Sequence, residues 1–103
     1  MVYKKINNIK SLENHLNNGP SVVKFYSKTC HPCQVFGPKY ITLSHRYPTI
    51  NFLDIDVESD VMKDVKVQIS GVPSTFIIKN NKILDRVVGG DDNELMTKLD
   101  NLM

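Results

Sequence analysis

Five residues, Val22-Val23-Lys24-Phe25-Tyr26, constrain the fold more than any other part of the chain. They form a nearly continuous apolar run of strand length, rich in β-branched and aromatic side chains. A strand that is apolar on both sides has to be covered on both sides, which places it inside a sheet flanked by helices. Lys24 interrupts the run, and its side chain is read as packing its methylenes while the amine extends to solvent. Only Ser27, Lys28 and Thr29 then separate the strand from Cys30-His31-Pro32-Cys33, which holds both cysteines of the chain.

The flanking segments fill in an alternating pattern. Val2 to Ile6 reads as a short edge strand. Ser11 is placed to cap a helix from Leu12 to Asn17, with Leu12 and Leu16 on one face, and Gly19-Pro20 stops it. A helix is predicted from about Cys30 through Tyr47. Val35, Phe36, Tyr40, Ile41 and Leu43 supply its apolar surface, and Pro38 interrupts its hydrogen-bond ladder. Ile50 to Ile55 reads as a strand. The acidic stretch Asp54 to Asp60 reads as a solvated strand end and a helix start, with Val61, Met62 and Val65 facing inward. Ser74 to Lys79 and Ile83 to Val88 form a hairpin through Asn80-Asn81, because asparagine tolerates positive φ. Gly89-Gly90 ends it, and Asp91 or Asp92 caps a last helix carrying Leu95, Leu99 and Leu102. The predicted order, β-α-β-α-β-α-β-β-α, is that of an α/β fold with a central mixed sheet and helices on both faces.

Composition narrows the function classes. The 103 residues suit one domain spanning 1–103. With 41% hydrophobic residues and 13 basic against 11 acidic side chains, the chain is neither disordered in character nor charged like a nucleic-acid or membrane-surface binder. The longest apolar runs are too short to span a bilayer. The first residues hold no apolar signal core, so a cytoplasmic location is expected. Two cysteines within four residues cannot staple a distant loop, which excludes a disulfide-rich scaffold.

The Cys30–Cys33 pair is therefore the candidate for chemistry. On the first turn of a helix, sulfurs at this spacing can form a reversible disulfide. The first thiolate is stabilised by unpaired backbone amides and the positive helix end. That makes Cys30 the attacking sulfur and Cys33 the one that resolves a mixed disulfide. His31 adds positive charge beside Cys30 when protonated, and Pro32 restricts the turn. Structural zinc needs about four ligands, and with one cysteine pair and remote His15 and His45 no metal site is expected within the chain. His15, His45, Lys4, Lys5 and Lys10 read as surface residues, and Tyr26 as packing near the site.

Several segments in sequence order resemble the thioredoxin family. Phe25 to Cys33 resembles its active-site segment, Pro38 its helix-kinking proline and Phe52 to Asp56 its third strand. Gly71-Val72-Pro73-Ser74 resembles its cis-proline loop, and Lys79 to Lys82 followed by Val88-Gly89 resembles its closing hairpin. The resemblance implies a thioredoxin-like fold and thiol–disulfide exchange with disulfide-containing proteins, without a bound cofactor. It implies a cis Pro73, with the Val72 backbone able to pair with an extended substrate segment. Thr29, Val72, Pro73 and Gly89 become the substrate-binding candidates, and His31, Pro32 and Lys24 the residues that modulate the site. A monomer recharged by a thioredoxin reductase or a thiol pool is expected.

The departures from that family pattern are specific. The family buries an aspartate where this chain has Lys24, and the lysine near that aspartate maps to Phe52, so the charged pair is expected to be missing. A second reading of Lys24 is a positive charge held near Cys33 that stabilises reduced thiolates. Thr29 stands where tryptophan is usual, and His31 replaces glycine, which motivates a depressed Cys30 pKa and a more oxidising pair. The alternatives are an oxidase or isomerase-like protein, a glutaredoxin-like one, and a binding subunit that does not use its thiols.

Overall fold

The structure, a computed structural model, describes residues 2–102. Strand β1 is Val2–Lys5, β2 is Ser21–Tyr26, β3 is Asn51–Asp56, β4 is Ser74–Lys79 and β5 is Lys82–Val88. They form one sheet in the order β1-β3-β2-β4-β5. The first three are mutually parallel, while β4 and β5 run antiparallel to their neighbours. Helices α1 (Ile9–Asn17), α2 (His31–Arg46) and α3 (Asp92–Leu102) cover it. This is the thioredoxin-like α/β architecture predicted.

The two faces follow from strand alternation. Val22, Phe52, Ile77 and Val87 point toward Phe36, Tyr40 and Leu43 of α2 and Leu95 and Leu99 of α3. Val23, Phe25, Leu53, Ile55 and Phe76 point the other way, toward Leu12 of α1 and Val61. Positions 22, 24 and 26 of β2 thus share the α2 face, which puts Lys24 under the helix that opens after the cysteines.

Several local expectations change. Helix α1 is capped by Asn8, whose side chain accepts from the Ser11 amide at 2.9 Å, and Ser11 lies inside the first turn. Asparagine caps as well as serine does, and starting earlier lets Ile9 pack against the core. In α2, Phe36, Tyr40 and Leu43 are buried, but Val35 and Ile41 are exposed. Phe36, Tyr40 and Leu43 follow i, i+4, i+7, and a residue one step to either side turns about 100° off that face. The helix continues through Pro38, where the carbonyl accepts from Thr42 Oγ1 at 3.0 Å.

After β3 the predicted helix is reduced to a 3-10 helix, Asp60–Asp64. The reason is the period-two run Val65, Val67, Ile69, which drops alternate side chains onto the α1-side core and needs extended backbone. Asn80 and Asn81 both take positive φ in the hairpin. Asp91 is the cap of α3, accepting from the Glu94 amide at 2.9 Å. Leu95 and Leu99 are fully enclosed, but Leu102, at the end of the helix, is exposed.

Tyr40 ties these layers together. Its hydroxyl is fully buried, 2.8 Å from the Leu53 carbonyl and 3.2 Å from that of Val22, so α2 is bonded to both central strands. Replacing Tyr40 with Phe keeps the ring and removes the donor, which should lower stability by about 1–2 kcal/mol. A urea midpoint unchanged from the parent would show that the hydroxyl contributes nothing.

Candidate active site

Cys30 is the N-cap of α2, and its Sγ accepts from the Cys33 amide at 3.2 Å. The two cysteines are joined as a disulfide with their Cα atoms 5.2 Å apart. Cys30 is half-buried at the mouth of the site, whereas Cys33 is buried one turn in. The helix start supplies free amides beside the outer sulfur, and the inner sulfur is shielded from direct attack. His31 and Pro32 fill the exposed first turn.

A second segment closes on the pair from β4. The Val72–Pro73 bond is cis, as expected, and the Val72 carbonyl oxygen lies 3.6 Å from Cys30 Sγ. The Gly89 amide donates to the Pro73 carbonyl at 2.8 Å, and Gly89 has φ +97°, a conformation that favours glycine. Val72, Pro73 and Gly89 are thereby brought to the cysteines. Thr29 stands exposed just before Cys30, its amide donating to Ser27 Oγ at 3.3 Å. Gly90, read from sequence only as a strand breaker, has a packing reason. A Cβ there would meet Phe36 Cβ at 3.2 Å and the Pro32 carbonyl at 3.6 Å, so glycine lets the end of β5 approach the start of α2.

The largest departure from expectation is at Lys24. Its amine does not reach solvent: the residue is 3% exposed, and Nζ lies 3.3 Å from Asp54 Oδ1. Strand register pairs Val22 with Phe52 and Lys24 with Asp54, so Asp54 and not Phe52 is the residue opposite Lys24. The usual pair is absent from positions 24 and 52, but a charged pair forms all the same between Lys24 and Asp54, and the reading of Asp54 as solvated is wrong. An amine and a carboxylate are buried here with their strands exchanged relative to the family pattern. Tyr3 of β1 donates its hydroxyl to Asp54 Oδ2. The ammonium also lies 4.5 Å from the centre of the Tyr40 ring and 5.6 Å from those of Tyr26 and Phe36. Asp54 was findable in sequence, because it follows Phe52 by two residues and must share its face. Tyr3 gave no such signal. Lys24, Asp54, Tyr3, Gly37 and Cys33 line one pocket of about 270 Å³ beneath the disulfide.

A mixed five-stranded sheet with a Cys-x-x-Cys disulfide at the N-terminus of its central helix, faced by a cis-proline, defines the class of thioredoxin-fold proteins. The chain belongs to the thioredoxin family, whose model, Thioredoxin, matches residues 4–101. It is similar to a thioredoxin H-type of Picea mariana, 37% identical over 75% of this chain and 62% of that one. It is also similar to thioredoxin H4-2 of Oryza sativa subsp. japonica, 37% identical over 76% of this chain and 59% of that one. The matched region thus spans about three-fifths of the length of these relatives. Among solved structures, the reduced Schistosoma mansoni thioredoxin pre-protein superposes with a TM-score of 0.88, covering 100% of both chains at 25% identity.

The energetics of the buried pair set a pH dependence. Loss of water raises the Asp54 carboxyl above its ordinary value, outweighing the pull of Lys24 and the Tyr3 hydroxyl. Loss of water likewise lowers the Lys24 amine despite Asp54. From about 3.9, the unfolded carboxylate value, up to the raised folded one, the native state holds the extra proton, so stability falls as pH rises. From the lowered folded amine value up to about 10.4, the unfolded state holds the extra proton, so stability rises with pH. Relative to a Lys24→Met/Asp54→Asn variant, the oxidised protein should therefore be least stable near neutrality. Urea midpoints of the two proteins at about pH 4, 7 and 10 test this; a difference that does not change with pH would refute it. Asp54→Asn alone should cost about 3–5 kcal/mol near neutrality, because it leaves Lys24 without its partner.

Proposed function

We propose that the chain is a protein-disulfide reductase in which Cys30 is the nucleophile and Cys33 the resolving cysteine. The observation that carries this reading is the asymmetry of the pair. The accessible sulfur sits at a helix N-terminus beside the Val72 backbone, and the buried sulfur lies one turn behind it. In the reduced protein the Cys30 thiolate attacks a substrate disulfide, and one substrate sulfur leaves as a thiol. Cys33 loses its proton and attacks Cys30 Sγ, which forms the internal disulfide and releases the second substrate thiol. Two electrons pass to the substrate, and both protons of the dithiol are accounted for by the two thiols produced. In this reading the Val72 backbone, 3.6 Å from the accessible sulfur, forms with Pro73, Gly89 and Thr29 the surface on which an extended substrate segment would lie.

The dithiol is regenerated in this reading by a thioredoxin reductase or a thiol pool, in a reducing compartment such as the cytosol. A solved complex of ferredoxin:thioredoxin reductase with thioredoxin f2 contains a chain of the same fold, with TM-score 0.81 at 24% identity. Among the described residues no helix is long and apolar enough to cross a membrane.

Reduction of insulin disulfides by a dithiol reductant tests the assignment. Adding the parent protein should accelerate it, and Cys30→Ser should return the rate to that of the reductant alone. Cys33→Ser should instead accumulate a mixed disulfide between Cys30 and the substrate, visible by mass spectrometry. Full activity in Cys30→Ser would overturn Cys30 as the nucleophile, and a parent protein that does not accelerate the reaction would leave only a binding role for the fold.

A further inference from the structure

Gly37 lies inside α2, where glycine costs roughly 1 kcal/mol relative to alanine. It follows Cys33 by four residues, so the two positions share one helix face, a turn apart. A Cβ at Gly37 would lie 4.0 Å from Lys24 Nζ. The ammonium therefore sits under the turn that begins at Cys33, in the pocket that Lys24, Gly37 and Cys33 line together.

Asp54 is turned the opposite way. Its Oδ2 accepts from Tyr3 on the edge strand β1, and its Oδ1, with no hydrogen-bond donor among the described residues, faces Nζ at 3.3 Å. The buried pair is thus a dipole with its positive end toward the cysteine turn and its negative end toward β1. The other titratable groups around the pocket do not reverse that field. Tyr3 and Tyr26 line it and Tyr40 packs below it, and all three phenols are pushed further from ionisation by burial and by Asp54. Lys5 and Lys28 are exposed cations at its rim, the latter 3.8 Å from Asp56.

We propose that Lys24, oriented by Asp54, is a positioning residue for resolution: its ammonium promotes loss of the Cys33 proton and so supplies the thiolate that attacks Cys30. This rests on the exchange reaction proposed above. The proton goes from Cys33 Sγ to water in the pocket, the new bond is Sγ–Sγ, and the bond that breaks is the one between Cys30 and substrate. The polarity is opposite to that of a carboxylate under the same turn, which would hold the Cys33 proton in place.

Titration of the Cys33 thiolate by its ultraviolet absorbance, in a Cys30→Ser background, reads the effect directly. The Lys24→Met/Asp54→Asn variant removes both charges without stranding either, and the exchanged Lys24→Asp/Asp54→Lys variant keeps the ion pair but reverses it. The Cys33 pKa should rise by about one unit in the first and further in the second. One unit leaves tenfold less thiolate below the pKa. Part of that is offset by the greater nucleophilicity of a more basic thiolate, so Cys33 should resolve a Cys30 mixed disulfide with thionitrobenzoate roughly threefold more slowly. If the neutral variant does not fold, the exchanged one carries the test. An unchanged or lower Cys33 pKa in whichever variant folds overturns the proposal. In that event, insulin reduction by the parent still upholds the reductase reading. Loss of the reductase reading, conversely, is seen as an inactive parent whose Cys33 titration can still be measured.

Discussion

Burial of β2 on both faces is the constraint from which the rest of the molecule follows. A central strand needs a helix layer on each side, and its far end has to leave the sheet into one of them. Here it leaves after three residues and enters α2 at Cys30. The reactive pair is consequently set where a helix start, with its unpaired amides, meets the end of the most buried strand. The outer sulfur gains the electrostatics of the helix end. The inner sulfur gains the shelter of the core.

The same placement explains why one pair of polar side chains beneath the cysteines has such reach. Positions on the α2 face of β2 and β3 are otherwise filled by Val22 and Phe52, inside the cluster that Tyr40 seals. Lys24 and Asp54 occupy the next positions along those strands, where the core gives way to the pocket under Cys33. Each ion has lost water to a degree that its partner does not fully offset, which is the usual balance for a buried ion pair. A residue pair of that kind is poorly explained by stability alone. Its orientation toward the cysteine turn supplies a reason in chemistry.

Much of the site was legible in the chain because its signals are local. Cys30 and Cys33, the helix they open, the Pro73 loop and the Asn80-Asn81 hairpin each depend on residues a few positions apart. Where the reading failed, a longer-range demand had prevailed. The acidic stretch after β3 favours a helix start, but the alternating Val65, Val67 and Ile69 required extended backbone to reach the α1-side core. Val35 and Ile41 are apolar, yet the face of α2 was chosen by Phe36, Tyr40 and Leu43.

Sequence by itself determined the α/β architecture, the central position of β2 and the identity of the redox pair, since periodicity and spacing are properties of the chain. Only the tertiary structure decided what Lys24 does. Whether its amine snorkels or stays inside depends on the register between two strands that are roughly 30 residues apart, and that register set Asp54 opposite it. Tyr3, further still along the chain, completed the carboxylate's shell because β1 pairs beside β3. A one-residue slip would have turned those side chains to the opposite face. Electrostatics at Cys33 are therefore a consequence of packing, which no local motif encodes.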